Sequence, residues 1–170
     1  MNTAFIWHRK VFAKGITERT IAAIQAEIEN YCTAFAMGMH GEFNSLALTA
    51  CRNLRRTHNE LEIELVITSL NAIKRDSELT AAPYSDVKTV MFDIEDAHFK
   101  QRITLCNRRM IDNCDALICY VDERVYRSGA KTTMRYAKKK GLKIVNLYRK
   151  EDHPFYGMTK EEIEEHWRNL

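Results

Sequence analysis

Short apolar runs alternate with helical spacing along most of the chain. Thr3 to Trp7 is an apolar run ending in His8-Arg9-Lys10, which reads as a buried strand opening into a polar loop. From Thr17 to Tyr31 the apolar residues fall at 21, 24, 28 and 31, which predicts a helix that Thr17 could cap. Thr33 to Met37 reads as a second strand. Phe43 to Thr57 is helical, with Leu46, Ala50, Cys51 and Leu54 on one side, and Leu61 to Thr68, rich in Ile and Val, is a third strand. Phe99 to Asn113 is a helix whose Ile103, Cys106, Met110 and Ile111 face inward. Ala116 to Val121 and Lys143 to Leu147 are the fourth and fifth strands, with a helix ending at Tyr136 to Gly141 between them. A final helix, Thr159 to Trp167, has Thr159 capping toward Glu162 and either packs back on the sheet or makes a subunit contact. Ser69 to Ala97 holds only a short apolar patch, Val90-Met91-Phe92, and is long for a connection, as lids and binding loops are.

Strands that are short, apolar and separated by helices are buried on both faces. The pattern predicts an α/β fold: a Rossmann-like, doubly wound parallel sheet of about five strands in three layers, with order 3-2-1-4-5. Residues 1–150 make the domain and 151–170 a helical extension of it. The order reverses between strands one and four, so a ligand crevice is expected at their C-terminal ends. Three loop ends meet there: Trp7-His8-Arg9, Gly38 to Glu42, and Asp122 to Thr133.

Length and charge narrow the field. A chain of 170 residues fits one domain. A net charge of +3 permits a phosphorylated small ligand but does not argue for nucleic acid, and Lys138-Lys139-Lys140 suits a solvated helix end. Five cysteines, an odd number without a CxxC pair, are expected to be reduced and mostly buried. Met1 to His8 lacks the flanks of a signal peptide, and no stretch reaches membrane-spanning length, so a cytoplasmic protein with no membrane partner is expected.

The chemistry-bearing residues cluster at the expected crevice. Arg127-Ser128-Gly129-Ala130-Lys131-Thr132-Thr133 is a small-residue loop between a strand and a helix. It can offer backbone N–H groups to an anion at Ser128, Gly129 and Ala130 and hydroxyls at Thr132 and Thr133. The alternative is an ordinary structural helix start capped by Ser128. Gly38 and Gly41 bracket a second close-approach loop carrying His40, with Glu42 and Asn44 placed to bind ribose or a base edge. Arg9 could fork onto a phosphate and His8 could donate or exchange a proton. Trp7 could stack on a base or plug the crevice. Arg109 could reach toward phosphate with Asp112 holding it, while Asp115 reads as a turn residue. Asp93, Glu95 and Asp96 suit solvent better than magnesium, so no metal or cofactor is expected. No G-x-G-x-x-G, P-loop, zinc-spaced cluster or G-x-S-x-G elbow is present.

Four blocks carry a family resemblance: Phe5 to Arg9, Gly38 to Ala47, Asn107 to Asp115, and Ser128 to Gly141. Together they resemble the YpsA-like branch of the SLOG superfamily, Rossmann-like proteins related to DNA-processing protein A and the Lonely Guy phosphoribohydrolases. The resemblance spans roughly residues 3–150. It implies a nucleotide or nucleotide-derived ligand in the crevice at strands one, two and four, bound by a sensor or sequestering module. A homodimer is a further expectation, and nucleic acid is not an expected partner. The chain departs from the family pattern at strand one, where Ile6 and Trp7 replace a threonine and a glycine, and at Ser128, which replaces the first glycine of a pair. Arg135 falls near the point where the phosphoribohydrolases carry a catalytic glutamate, and a permanent cation cannot stabilise positive charge developing on a ribose. Two alternatives stand beside the binding reading: an N-glycosidic hydrolase of the phosphoribohydrolase or ADP-ribose type, and a non-catalytic interaction protein with a degenerate pocket.

Overall fold

The computed structural model describes residues 1–7, 13–38, 42–67, 86–94, 97–126 and 128–168. Six parallel strands form one sheet: β1 (Asn2–Trp7), β2 (Ala34–Gly38), β3 (Glu62–Ile67), β4 (Lys88–Met91), β5 (Ala116–Tyr120) and β6 (Lys143–Asn146), in the order β4-β3-β2-β1-β5-β6. The winding reverses at β1, which pairs with β2 on one side and with β5 on the other. This is the predicted doubly wound sheet with one more strand. The addition, β4, lies in the segment whose apolar patch was too short to define an element. It is an edge strand with Lys88, Thr89 and Met91 exposed. It is joined to β3 through its backbone and through Lys88 Nζ, which lies 2.7 Å from Glu64 Oε1. A charged, four-residue edge strand has little periodicity to announce it.

Each face of the sheet carries its own core. Strand alternation sends Phe5, Phe35, Met37, Ile63, Ile118 and Tyr120 toward helices α1 (Ile16–Glu29) and α2 (Glu42–Arg55). Ala4, Ile6, Ala36, Leu117, Cys119 and Val121 face α3 (Phe99–Asp112) and α4 (Gly129–Lys139). α1 begins two residues earlier than the Thr17 cap implies. Gly15, at φ 72°, turns the chain into Ile16, and Thr17 lies exposed in the first turn. Asp115 is structural: its Oδ2 accepts the Asn2 N–H at 2.8 Å, fixing the start of β1 beside β5. The last helix, α5 (Lys160–Arg168), opens with the expected reciprocal cap. Glu162 N–H donates to Thr159 Oγ1 at 3.3 Å, and Thr159 N–H donates to Glu162 Oε2 at 2.7 Å. No residue of α5 is buried; Phe155 meets His166 edge-on and Trp167 at a tilt, at centroid distances of 5.6 and 5.9 Å. All five cysteines are free, four buried and Cys114 half-buried. Among the described residues no helix is long and apolar enough to cross a membrane.

Candidate functional site

The winding reversal brings the C-terminal ends of β1, β2 and β5 side by side. Trp7 is in register with Tyr120, the last residue of β5, and Gly38 closes β2. Ser128, Gly129 and Ala130 enter α4 above β5. Ser128 is the helix N-cap, its Oγ accepting the Lys131 N–H at 3.2 Å. The first N–H groups of a helix have no intrahelical partner, so Gly129 and Ala130 direct theirs out of the helix start. The hydroxyls behind them turn inward: Thr132 donates to Ser128 O and Thr133, buried, to Gly129 O, each at 3.0 Å.

The glycines separate into two groups. Gly15, Gly141 and Gly157 have φ of 72°, 82° and 78°, backbone that a side chain rarely adopts. Gly38 and Gly129 do not. Among the described residues, a Cβ on Gly129 would meet nothing within 4 Å, and one on Gly38 would come no closer than 3.9 Å, to Asn44 Nδ2. Neither backbone conformation nor the described neighbours demand glycine at either position, and both lie at the C-terminal end of the sheet.

Trp7 closes the α1–α2 side of this end. Its ring lies 4.2 Å from Phe43, in the first turn of α2, and 5.7 Å from Phe5. Asn44 is buried one residue further on. Glu42 opens α2. His8, Arg9, His40 and Gly41 lie outside the described residues, as do Glu95 and Asp96; Asp93 is exposed. Arg109 is not brought to this end of the sheet: it sits in the last turn of α3, which leads into the opposite, N-terminal end of β5. Nor does Asp112 hold it. The Asp112 carboxylate takes Lys140 Nζ at 2.8 Å and the Tyr136 hydroxyl at 2.7 Å, and these donors hold it below the ordinary carboxylate range.

The loop after β5 is fixed by residues that sequence reasoning passed over. Buried Asp122 accepts Arg124 Nε and a terminal guanidinium nitrogen, each at 2.9 Å, and the Tyr148 hydroxyl at 2.9 Å. The Arg124 guanidinium holds this carboxyl far below its usual range. Asn146, at the end of β6, extends the ladder with its side chain: Oδ1 accepts Val121 N–H at 3.0 Å, and Nδ2 donates to Val121 O at 2.9 Å. Lys131 Nζ donates to the carbonyls of Glu123 and Val125, so this cation of the small-residue motif binds its own loop. The signal in sequence was the acid–arginine spacing Asp122-x-Arg124 directly after an apolar strand.

Among the described residues no group of three or more His, Cys, Asp or Glu side chains is arranged to hold a metal ion. No protein-family model matches the chain, and no curated protein is significantly similar to it.

Proposed function

We propose that this chain binds a nucleotide or nucleotide-derived ligand across the C-terminal ends of β1, β2 and β5, as a sensor or sequestering module. The observation that carries this reading is the pair Gly38 and Gly129, glycines that the backbone does not need, set on two sides of the winding reversal. Missing side chains there let a ligand approach the backbone, and the start of α4 presents N–H groups to an anion. The resemblance to the YpsA-like branch of the SLOG superfamily supports the nucleotide class. A hydrolase reading has less support. Arg135 is exposed on α4 where related hydrolases carry glutamate, and the Asp122 carboxylate is taken up by Arg124 and Tyr148.

Trp7 favours a second reading. Its packing on Phe43 fills space at the tip of β1 that a glycine would leave open, as expected of an interaction protein whose pocket has degenerated. Thermal unfolding against a panel of nucleoside mono- and diphosphates, cyclic nucleotides and ADP-ribose separates the two. A true ligand at 100 times its Kd adds about 2.7 kcal/mol of stability, which raises Tm by several degrees. No shift across the panel would leave the interaction reading in place. Turnover abolished by Glu42→Gln would move the weight to the hydrolase.

A further inference from the structure

Among the described residues the C-terminal segment is thinly covered. α5 buries no residue, and Tyr156, Met158 and Trp167 are 55%, 37% and 61% exposed along the same short stretch. The rings that touch one another there, His153, Phe155, His166 and Trp167, all belong to this segment. The helix is also acidic. Glu161, Glu162, Glu164 and Glu165 face only Lys160 and Arg168 within it, in a chain whose net charge is +3.

The opposite composition stands on the outer side of α3 and α4. The Arg108 guanidinium and Lys140 Nζ each lie 5.5 Å from the centre of the Tyr136 ring, and Asp112 is the carboxylate beside them, paired with Lys140. Arg135 and Lys139, one turn apart on α4, are exposed and form no ion pair among the described residues. α4 has 11 residues and α5 has 9, so the two helices can lie along each other over nearly their full lengths.

We propose that a second copy of this chain covers this face, each copy laying its acidic, tryptophan-bearing α5 on the cationic α3–α4 face of the other. The charges select this arrangement over its rivals. Two α5 helices placed together would bring eight glutamates into one contact, and two α4 faces would oppose cation to cation. Reciprocal exchange makes two identical contacts and closes the assembly at two copies. The exposed indole then has a guanidinium or ammonium group to stack on.

Sedimentation equilibrium of the full chain tests this. The expected species has twice the 19.9 kDa chain mass. It should dissociate as salt rises from about 0.1 M to about 1 M, because the screening length falls from about 10 Å to about 3 Å. Arg135→Glu with Lys139→Glu should raise the dimer Kd at least about tenfold, as should Glu161→Lys with Glu165→Lys. Mixing these two variants should restore a dimer, since each then offers what the other lacks. All four side chains are exposed, so folding is not at risk, and the salt titration of the unaltered chain is an independent check. A monomer at every concentration, a dimer indifferent to salt and charge reversal, or a monomer whose cationic face instead captures heparin would each overturn the proposal.

Discussion

Arg19 ties three elements together, and removing it should be costly. Its guanidinium donates to both oxygens of Asp152, at 2.8 and 2.9 Å, to Leu147 O at 2.6 Å and to Lys14 O at 3.3 Å. These bonds join the start of α1 to the end of β6 and to the short turn Lys150–Asp152. The two side chains are only 12% and 8% exposed. Arg19→Ala strands a carboxylate in a nearly dry site, with the Arg149 N–H at 2.9 Å and the Tyr120 hydroxyl as its remaining donors. Breaking a buried pair costs about 3–5 kcal/mol, and the two retained donors should reduce this to about 2–4 kcal/mol. Asp152→Asn keeps an acceptor and leaves Arg19 its carbonyl partners, so about 1–2 kcal/mol is expected. Urea unfolding of both single variants and the double variant should give a coupling on the order of 1–2 kcal/mol with unchanged m-values.

The pH dependence of that loss has a definite sign. Burial pushes the Asp152 carboxyl up, but the Arg19 and Arg149 donors outweigh it and hold it below its ordinary value. In the unfolded chain this group takes up its proton near pH 3.9, while the folded chain still holds it ionised. The stabilisation is therefore complete above that pH and is lost as pH falls through the lower, folded value. The difference between the unaltered protein and Arg19→Ala should shrink in acid. A loss below about 1 kcal/mol at neutral pH, a coupling below about 0.5 kcal/mol, or a difference that has not begun to shrink by about pH 3 would refute the reasoning.

Gly129→Ala should raise stability by about 0.4–1 kcal/mol in urea, because the site has room for a methyl group and needs no positive φ. If the proposed ligand approaches there, the same variant should bind it more weakly; a variant that is less stable would mean that the fold, not a ligand, demands the glycine. Lys131→Met should cost about 1 kcal/mol and speed amide exchange across residues 123–126, since their carbonyl clamp is lost; unchanged exchange would mean that the clamp does not hold the loop. Burial pushes the Cys106 thiol up to about 11 and those of Cys114 and Cys119 up to about 12. At pH 8 about one Cys106 in a thousand is then thiolate, so iodoacetamide should label these three slowly in the folded protein and all five cysteines rapidly in urea. Rapid labelling of Cys119 in the folded state would contradict its burial in β5.

The central sheet was legible because its strands are apolar on both faces and its helices carry a clear period. Thr3 to Trp7, Ala116 to Val121 and the helix between Phe99 and Asn113 appear close to where the pattern places them. Order along the sheet followed from one rule, that parallel strands linked by helices wind outward from the middle and reverse once. The placing of Trp7, Gly38 and Gly129 at one end of the sheet followed from the same rule. Local chemistry was equally readable at Ser128 and at Thr159, because a helix cap involves only residues a few positions apart.

The sequence could not assign partners across long separations. It suggested Arg109 for Asp112, but Asp112 binds Tyr136 and Lys140, which only the packing of α3 against α4 brings near. The clamp of Arg19 on Asp152 spans 133 positions, and the Asn146 bridge to Val121 spans 25. β4 stayed hidden because an edge strand is defined by the neighbour it pairs with rather than by its own pattern. Composition and periodicity determined the layers, the winding and the end of the sheet where a site can form. Which side chains face that end, which are spent on holding the loop after β5, and which glycines the backbone can spare were decided by tertiary contacts, because a hydrogen bond depends on distance in space and a sequence records only distance along the chain.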